Sequence, residues 1–111
     1  MTKQILDRII NVLHGFPSLC QDRKTPQRRT TYRILSKKRQ CIEIKEQDAC
    51  VLVRFTAPVS QFTNPAVPVR DLSKNQNFKQ WKTEVKFKSV ADVDNAKPMF
   101  QSVYSYAIGD K

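Results

Sequence analysis

Few residues in this chain can do chemistry, and their spacing argues against catalysis. The single His14 precedes Cys20 by a short stretch. A Cys–His nucleophile pair needs those two side chains to meet in space. His14 instead closes an apolar helical stripe, which points to a structural histidine. Cys20, Cys41 and Cys50 form no C-x-x-C pair, so the sequence offers no zinc site of ordinary ligand spacing. Sparse, unpaired thiols fit a reducing compartment and burial as small apolar side chains. Gly15 and Gly109 are the only glycines, which excludes a glycine-rich phosphate cradle. Asp92 and Asp94 fall at a helix start, where carboxylates complement the helix dipole. No metal, cofactor or enzymatic activity is expected.

Two constellations point to binding. The chain carries 20 Lys+Arg against 10 Asp+Glu, a net charge of +10. That excess favours a polyanionic partner such as DNA or RNA, although charge also serves solubility. Arg23, Lys24, Arg28 and Arg29 begin one basic segment, and Lys37, Lys38 and Arg39 form another. The two segments flank one expected strand. If they meet at one end of a sheet, they contact several phosphates and give salt-dependent binding. Tyr32, between them, is expected in the core, so the contact would be directed to phosphates and tolerant of sequence. The second constellation is Arg70-Asp71 with Trp81. An ion pair within Arg70-Asp71 would fix loop geometry; alternatively, the three residues line a small-molecule pocket with Trp81 as its stacking face.

The elements that must position these residues fit one domain of 111 residues. A chain this long buries roughly two-thirds of its unfolded surface. No apolar run approaches the roughly 18 residues of a membrane span. Asp7 and Arg8 interrupt the apolar positions before Leu13, and no small-residue cleavage site follows. No signal peptide is therefore expected, and the expected location is cytoplasmic.

Ile5, Leu6, Ile9, Ile10 and Leu13 recur at helical spacing, which predicts a helix over 2–13 with Thr2 as N-cap. Gly15 and Pro17 follow its end. Residues 18–30, polar and basic, read as a surface loop. Strands are predicted over 31–35, 40–46 and 49–55. A Gln47-Asp48 turn pairs Ile44 with Val51 and Ile42 with Val53. A Lys37-Lys38-Arg39 loop pairs Ile34 with Ile42, Tyr32 with Ile44, and Arg33 with Glu43. Cys50 then falls opposite Lys45.

Residues 56–80 lack periodicity and contain Pro58, Pro65 and Pro68, so they read as a long loop, with helical turns near 71–74 and 78–81. Phe62, Val67, Val69, Leu72 and Phe78 should hold it against the body of the domain. Val85 and Phe87 point inward on a fourth strand over 83–88, with Glu84 outward. Ser89 and Asp92 start a helix that Pro98 kinks or splits near 95–97. The expected fold is α+β: an antiparallel sheet of about four strands, with N-terminal and C-terminal helices mainly on one face. Leu35, Cys41, Cys50 and Leu52 give the other face apolar character. It needs a cover, either the 56–80 loop or a partner, including a second copy in a homodimer.

One stretch also carries a family resemblance. Its first part is Tyr32-Arg33-Ile34-Leu35-Ser36-Lys37-Lys38-Arg39-Gln40-Cys41-Ile42-Glu43-Ile44. Arg70-Asp71, Trp81 and Glu84-Val85-Lys86-Phe87 follow. The last part is Asp92-Val93-Asp94-Asn95-Ala96-Lys97-Pro98, running on to Ser102-Val103-Tyr104. From about Tyr32 to Tyr106 the chain resembles a small domain of unknown function labelled "predicted transport protein", which also occurs at the ends of larger nuclease-like proteins. That family usually has a glycine-containing approach to its Trp, whereas Asn75-Gln76-Asn77-Phe78-Lys79-Gln80 precedes Trp81 here. Thr56–Val69 also departs from the family pattern. The resemblance implies an α+β sheet domain with no established activity, and by context a nuclease-accessory or nucleic-acid-binding role.

Overall fold

The computed structural model describes residues 2–25, 29–63 and 65–109, and of residues 23–25 only the backbone. Its elements run α1 (Thr2–Leu13), β1 (Leu19–Thr25), β2 (Arg29–Ile34), β3 (Gln40–Glu46), β4 (Val51–Phe55), β5 (Val69–Asp71), β6 (Thr83–Phe87), α2 (Val90–Asn95) and α3 (Lys97–Gly109). The strands form one antiparallel sheet of six, in the order β1-β2-β3-β4-β6-β5, rather than about four.

The two strands absent from the sequence reading are the sheet's edges. β1 lies in the expected 18–30 loop, and its Gln21-Asp22-Arg23-Lys24 run has little strand propensity. An edge strand tolerates such residues, because charge there discourages pairing with another chain. β5 is only Val69–Asp71, between Pro68 and the next turn. In place of the helical turns expected near 71–74 and 78–81, a turn closes by Asn75 N–H donating to Leu72 O at 3.0 Å, and a 3₁₀ turn over Gln76–Phe78 leads into a turn closed by Trp81 N–H and Phe78 O; another 3₁₀ turn forms at Val59–Gln61.

Both central hairpins shift by two residues from the expected register. Ile42 faces Phe55 and Ile44 faces Val53, across a connection closed by Gln47 N–H donating to Cys50 O at 2.9 Å. Leu52, not Cys50, therefore lies opposite Lys45. Tyr32 faces Ile42, Thr30 faces Ile44, and Arg33 faces Gln40 after a bulge. A shift of two keeps every side chain on its face, so alternation alone could not tell the registers apart. The expected Arg33–Glu43 pair does not form. Arg33 lies 3.7 Å from Asp22 and donates to the Leu35 and Lys37 carbonyls.

One face of the sheet packs under the helices. Ile5, Ile9 and Leu13 of α1 and Phe100 and Val103 of α3 join Ile42, Ile44, Val51, Val53, Phe55, Val85 and Phe87 in one buried cluster. Phe55 and Phe100 meet edge to face at 5.8 Å between centroids. Thr2 begins α1 without serving as the expected cap; its hydroxyl donates to Glu46 at 3.1 Å. Ser89 Oγ accepts from Asp92 N–H at 3.1 Å and caps α2, as its sequence suggests. Pro98 separates α2 from α3, as expected, because its ring cannot continue the first helix. No helix of the described residues is long and apolar enough to cross a membrane.

Candidate functional site

At one end of the sheet an open groove of about 710 Å³ is lined by Arg39, Lys79 and Lys82, together with Thr56, Pro58, Ser73, Gln80 and Tyr106. No carboxylate is among the described residues lining it. Arg39 ends the β2–β3 connection. Lys82 is fixed by two backbone bonds of 2.8 Å: its N–H donates to Phe55 O, and its carbonyl accepts from Leu72 N–H. Tyr106 brings a half-buried ring from α3.

Lys79 is held in an unusual backbone conformation. Asn75 Oδ1 accepts from Asn77 N–H at 3.0 Å and starts the 3₁₀ turn over 76–78. Trp81 N–H then donates to Phe78 O at 2.9 Å, closing a turn with Lys79 at φ 53° and ψ −116°. These angles match the second position of a type II′ turn, where glycine is favoured because a β-carbon is strained. A lysine there stores strain and sets a cation on the groove wall.

The sheet face away from the helices carries a ladder of charges. Arg29 Nη1 lies 3.8 Å from Glu43 Oε2, and Arg54 Nη1 donates to Glu43 Oε1 at 3.1 Å. Arg54 Nε donates to Glu84 Oε2 at 2.9 Å, and Arg70 Nη1 to Glu84 Oε1 at 3.3 Å. The ladder thus crosses β2, β3, β4, β6 and β5. Glu84 points away from the helices as expected, yet its side chain and that of Glu43 are each only 8% exposed. Phe78 supplies part of the cover: the Arg54 and Arg70 guanidinium groups lie 4.8 and 5.7 Å from its ring centroid. A pocket of about 300 Å³ opens beside the ladder, lined by Arg29, Glu43, Arg54, Asn77, Phe78, Lys79 and Trp81. Lys79 belongs to both this pocket and the groove.

No family model, curated protein or solved structure matches this chain.

The basic residues singled out from sequence do not act as one set. Arg28 lies outside the described residues, as do the side chains of Arg23 and Lys24. Arg29 stands in the ladder beside Glu43. Lys37 Nζ donates to the Ala107 and Ile108 carbonyls at 2.7 and 3.3 Å, so it caps the C-terminal end of α3. Lys38 is exposed beside Arg39, and of the described members Arg39 alone lines the groove. The other groove cations, Lys79 and Lys82, were missed. Their signal was the pair of lysines around Trp81 in Lys79-Gln80-Trp81-Lys82.

Arg70, Asp71 and Trp81 do not share a pocket. Arg70 and Asp71 line a shallow depression whose described lining does not include Trp81, which is 8% exposed and lines the pocket beside the ladder. Nor do Arg70 and Asp71 pair with each other: Arg70 meets Glu84, while Asp71 Oδ1 accepts from Ser73 Oγ at 2.6 Å and Ser73 N at 2.9 Å. Those two bonds, the hydroxyl first, hold the Asp71 carboxyl below its usual range.

Cys20 Sγ donates to Arg33 O at 3.4 Å, and His14 is exposed at the end of α1. Burial pushes the Cys41 thiol up to about 11. Cys41 is the extra residue of the β3 bulge and joins the helix-side core. Cys50 and Leu52 are also buried within the single chain, which leaves Leu35, at 66% exposure, as the one residue of the expected apolar face that is open.

Proposed function

We infer that this domain binds nucleic acid through the sugar-phosphate backbone, along the groove of Arg39, Lys79 and Lys82. The observation that carries the reading is the joining of three cations from two loops, Arg39 from the β2–β3 connection and Lys79 and Lys82 from the β5–β6 connection, in one concave surface whose described lining holds no carboxylate. Phosphates held there would displace counterions, and affinity would fall steeply with salt. The half-buried Tyr106 ring adds a stacking face beside the cations, a combination suited to single strands. Strain at Lys79 supports the same reading, since a strained residue is retained where its side chain has a task.

The role is that of a binding module with little sequence preference along the backbone. The resemblance to a domain at the ends of nuclease-like proteins suggests a nuclease-accessory role by analogy, and a cytoplasmic location belongs to the same proposal. An NMR titration with a short single strand tests it. Amide signals of Arg39, Lys79, Lys82 and Tyr106 are expected to move together. Shifts confined to the opposite end of the sheet, or none at low salt, would remove the groove from the reading.

A further inference from the structure

The pocket beside the charge ladder has features of a nucleobase site. Its volume, about 300 Å³, lies at the small end of ligand pockets and accommodates a single planar ring system. Phe78 and Trp81 supply aromatic walls. Splayed bases of single strands are bound by aromatic or guanidinium faces and read at their edges.

The polar groups narrow the choice of base. Glu43 is a nearly buried carboxylate that accepts one hydrogen bond, from Arg54, and faces Arg29 at the longer distance of 3.8 Å. A carboxylate has about four acceptor positions, so Glu43 retains acceptor capacity. Arg54 has two N–H groups engaged, one by Glu43 and one by Glu84, of the roughly five that a guanidinium carries. Guanine presents N1–H and N2–H side by side, which a carboxylate accepts together, next to the O6 acceptor that suits an arginine. Adenine and cytosine set their single amine beside a ring-nitrogen acceptor, and thymine sets its N–H between two carbonyls. Each places a lone pair against the carboxylate. Lys79, which lines both cavities, sets the base pocket next to the phosphate groove.

We propose that the pocket formed by Glu43, Arg54, Phe78 and Trp81 receives an unstacked guanine of a single strand whose backbone lies in the Arg39–Lys79–Lys82 groove. The proposal rests on the groove reading.

Fluorescence anisotropy with thymidine oligomers about ten nucleotides long tests it. The oligomers carry thymine, guanine, adenine, cytosine or hypoxanthine at one central position. Guanine is expected to tighten binding about tenfold. Hypoxanthine, which lacks the N2 amine, should lose most of that gain. Glu43→Gln should erase the guanine preference and leave thymidine affinity and its salt slope in place. Glu43 also anchors the ladder, so the hypoxanthine comparison carries the test if that variant fails to fold. Phe78→Leu should reduce the gain as well. Equal affinity for all the oligomers, with salt-dependent binding intact, would overturn the base pocket and spare the groove. Preference for a different base would overturn the guanine assignment. No binding of any oligomer at low salt would overturn both readings.

Discussion

Replacing Lys79 with glycine should make the protein more stable and a weaker binder. Lys79 sits at φ 53° and ψ −116° in the turn closed by Trp81 N–H and Phe78 O. A β-carbon at positive φ costs about 1–2 kcal/mol, and glycine removes that cost. Glycine also frees the unfolded chain, which returns about 0.5–1 kcal/mol. The net gain is about 0.5–1 kcal/mol, a rise in Tm of about 2–5 °C for a domain of this size. The same change deletes one groove cation, so the salt slope for a single strand should fall by about 0.7. Two variants separate the effects. Lys79→Ala keeps the β-carbon and loses the charge, so its salt slope falls without a gain in Tm. Ser18→Gly relieves a second positive φ among the described residues, 67° in the α1–β1 connection, so Tm rises while binding stays as in the wild type. Thermal unfolding by circular dichroism and anisotropy at several salt concentrations read both quantities. A Tm for Lys79→Gly at or below the wild type would refute the strain, and an unchanged salt slope would refute the phosphate contact.

The ladder and the buried thiol give further expectations. Arg54→Ala leaves the Glu43 and Glu84 carboxylates without their shared guanidinium and should cost about 3 kcal/mol in urea unfolding. Arg8→Ala removes an ion pair to Asp94 whose side chains are 42% and 40% exposed, and should cost under about 1 kcal/mol. Similar losses for both variants would show that the ladder contributes no more than a surface pair. Cys41 has a thiol value of about 11 in the fold against 9.0 ordinarily, so its contribution is complete below pH 9.0. As pH rises from there to about 11 the unfolded chain ionises first. Stability should then fall by about 2–3 kcal/mol, a fall that Cys41→Ala lacks. Parallel losses in the two proteins across that window would assign the effect to other groups.

What the sequence disclosed was local. The α1 stripe, the Ser89 cap, the break at Pro98 and the inward Val85 and Phe87 depend on neighbours within a turn or a strand, and all are present. Registers depend on partners far along the chain. Ile42 against Phe55 and Ile42 against Val53 bury the same faces, and alternation cannot choose between them. The ladder was hidden for the same reason: Glu43, Arg54 and Glu84 lie far apart in the chain and meet only when the strands align them. β1 was missed because its charges suit an edge rather than a core. The groove draws Arg39, Thr56, Lys82 and Tyr106 from four separate places in the chain, a convergence that local spacing does not disclose.

The most direct test of the groove is the salt dependence of single-strand binding for the wild type and for a variant with Arg39, Lys79 and Lys82 all replaced by alanine. Each phosphate contact contributes a slope of about −0.7 for a single strand. Loss of the three residues should flatten the slope by about 2 and weaken low-salt affinity for all sequences alike. A folded variant with the wild-type slope and affinity would contradict the groove as the binding surface, and absence of wild-type binding at low salt would leave the +10 charge as a solubility feature.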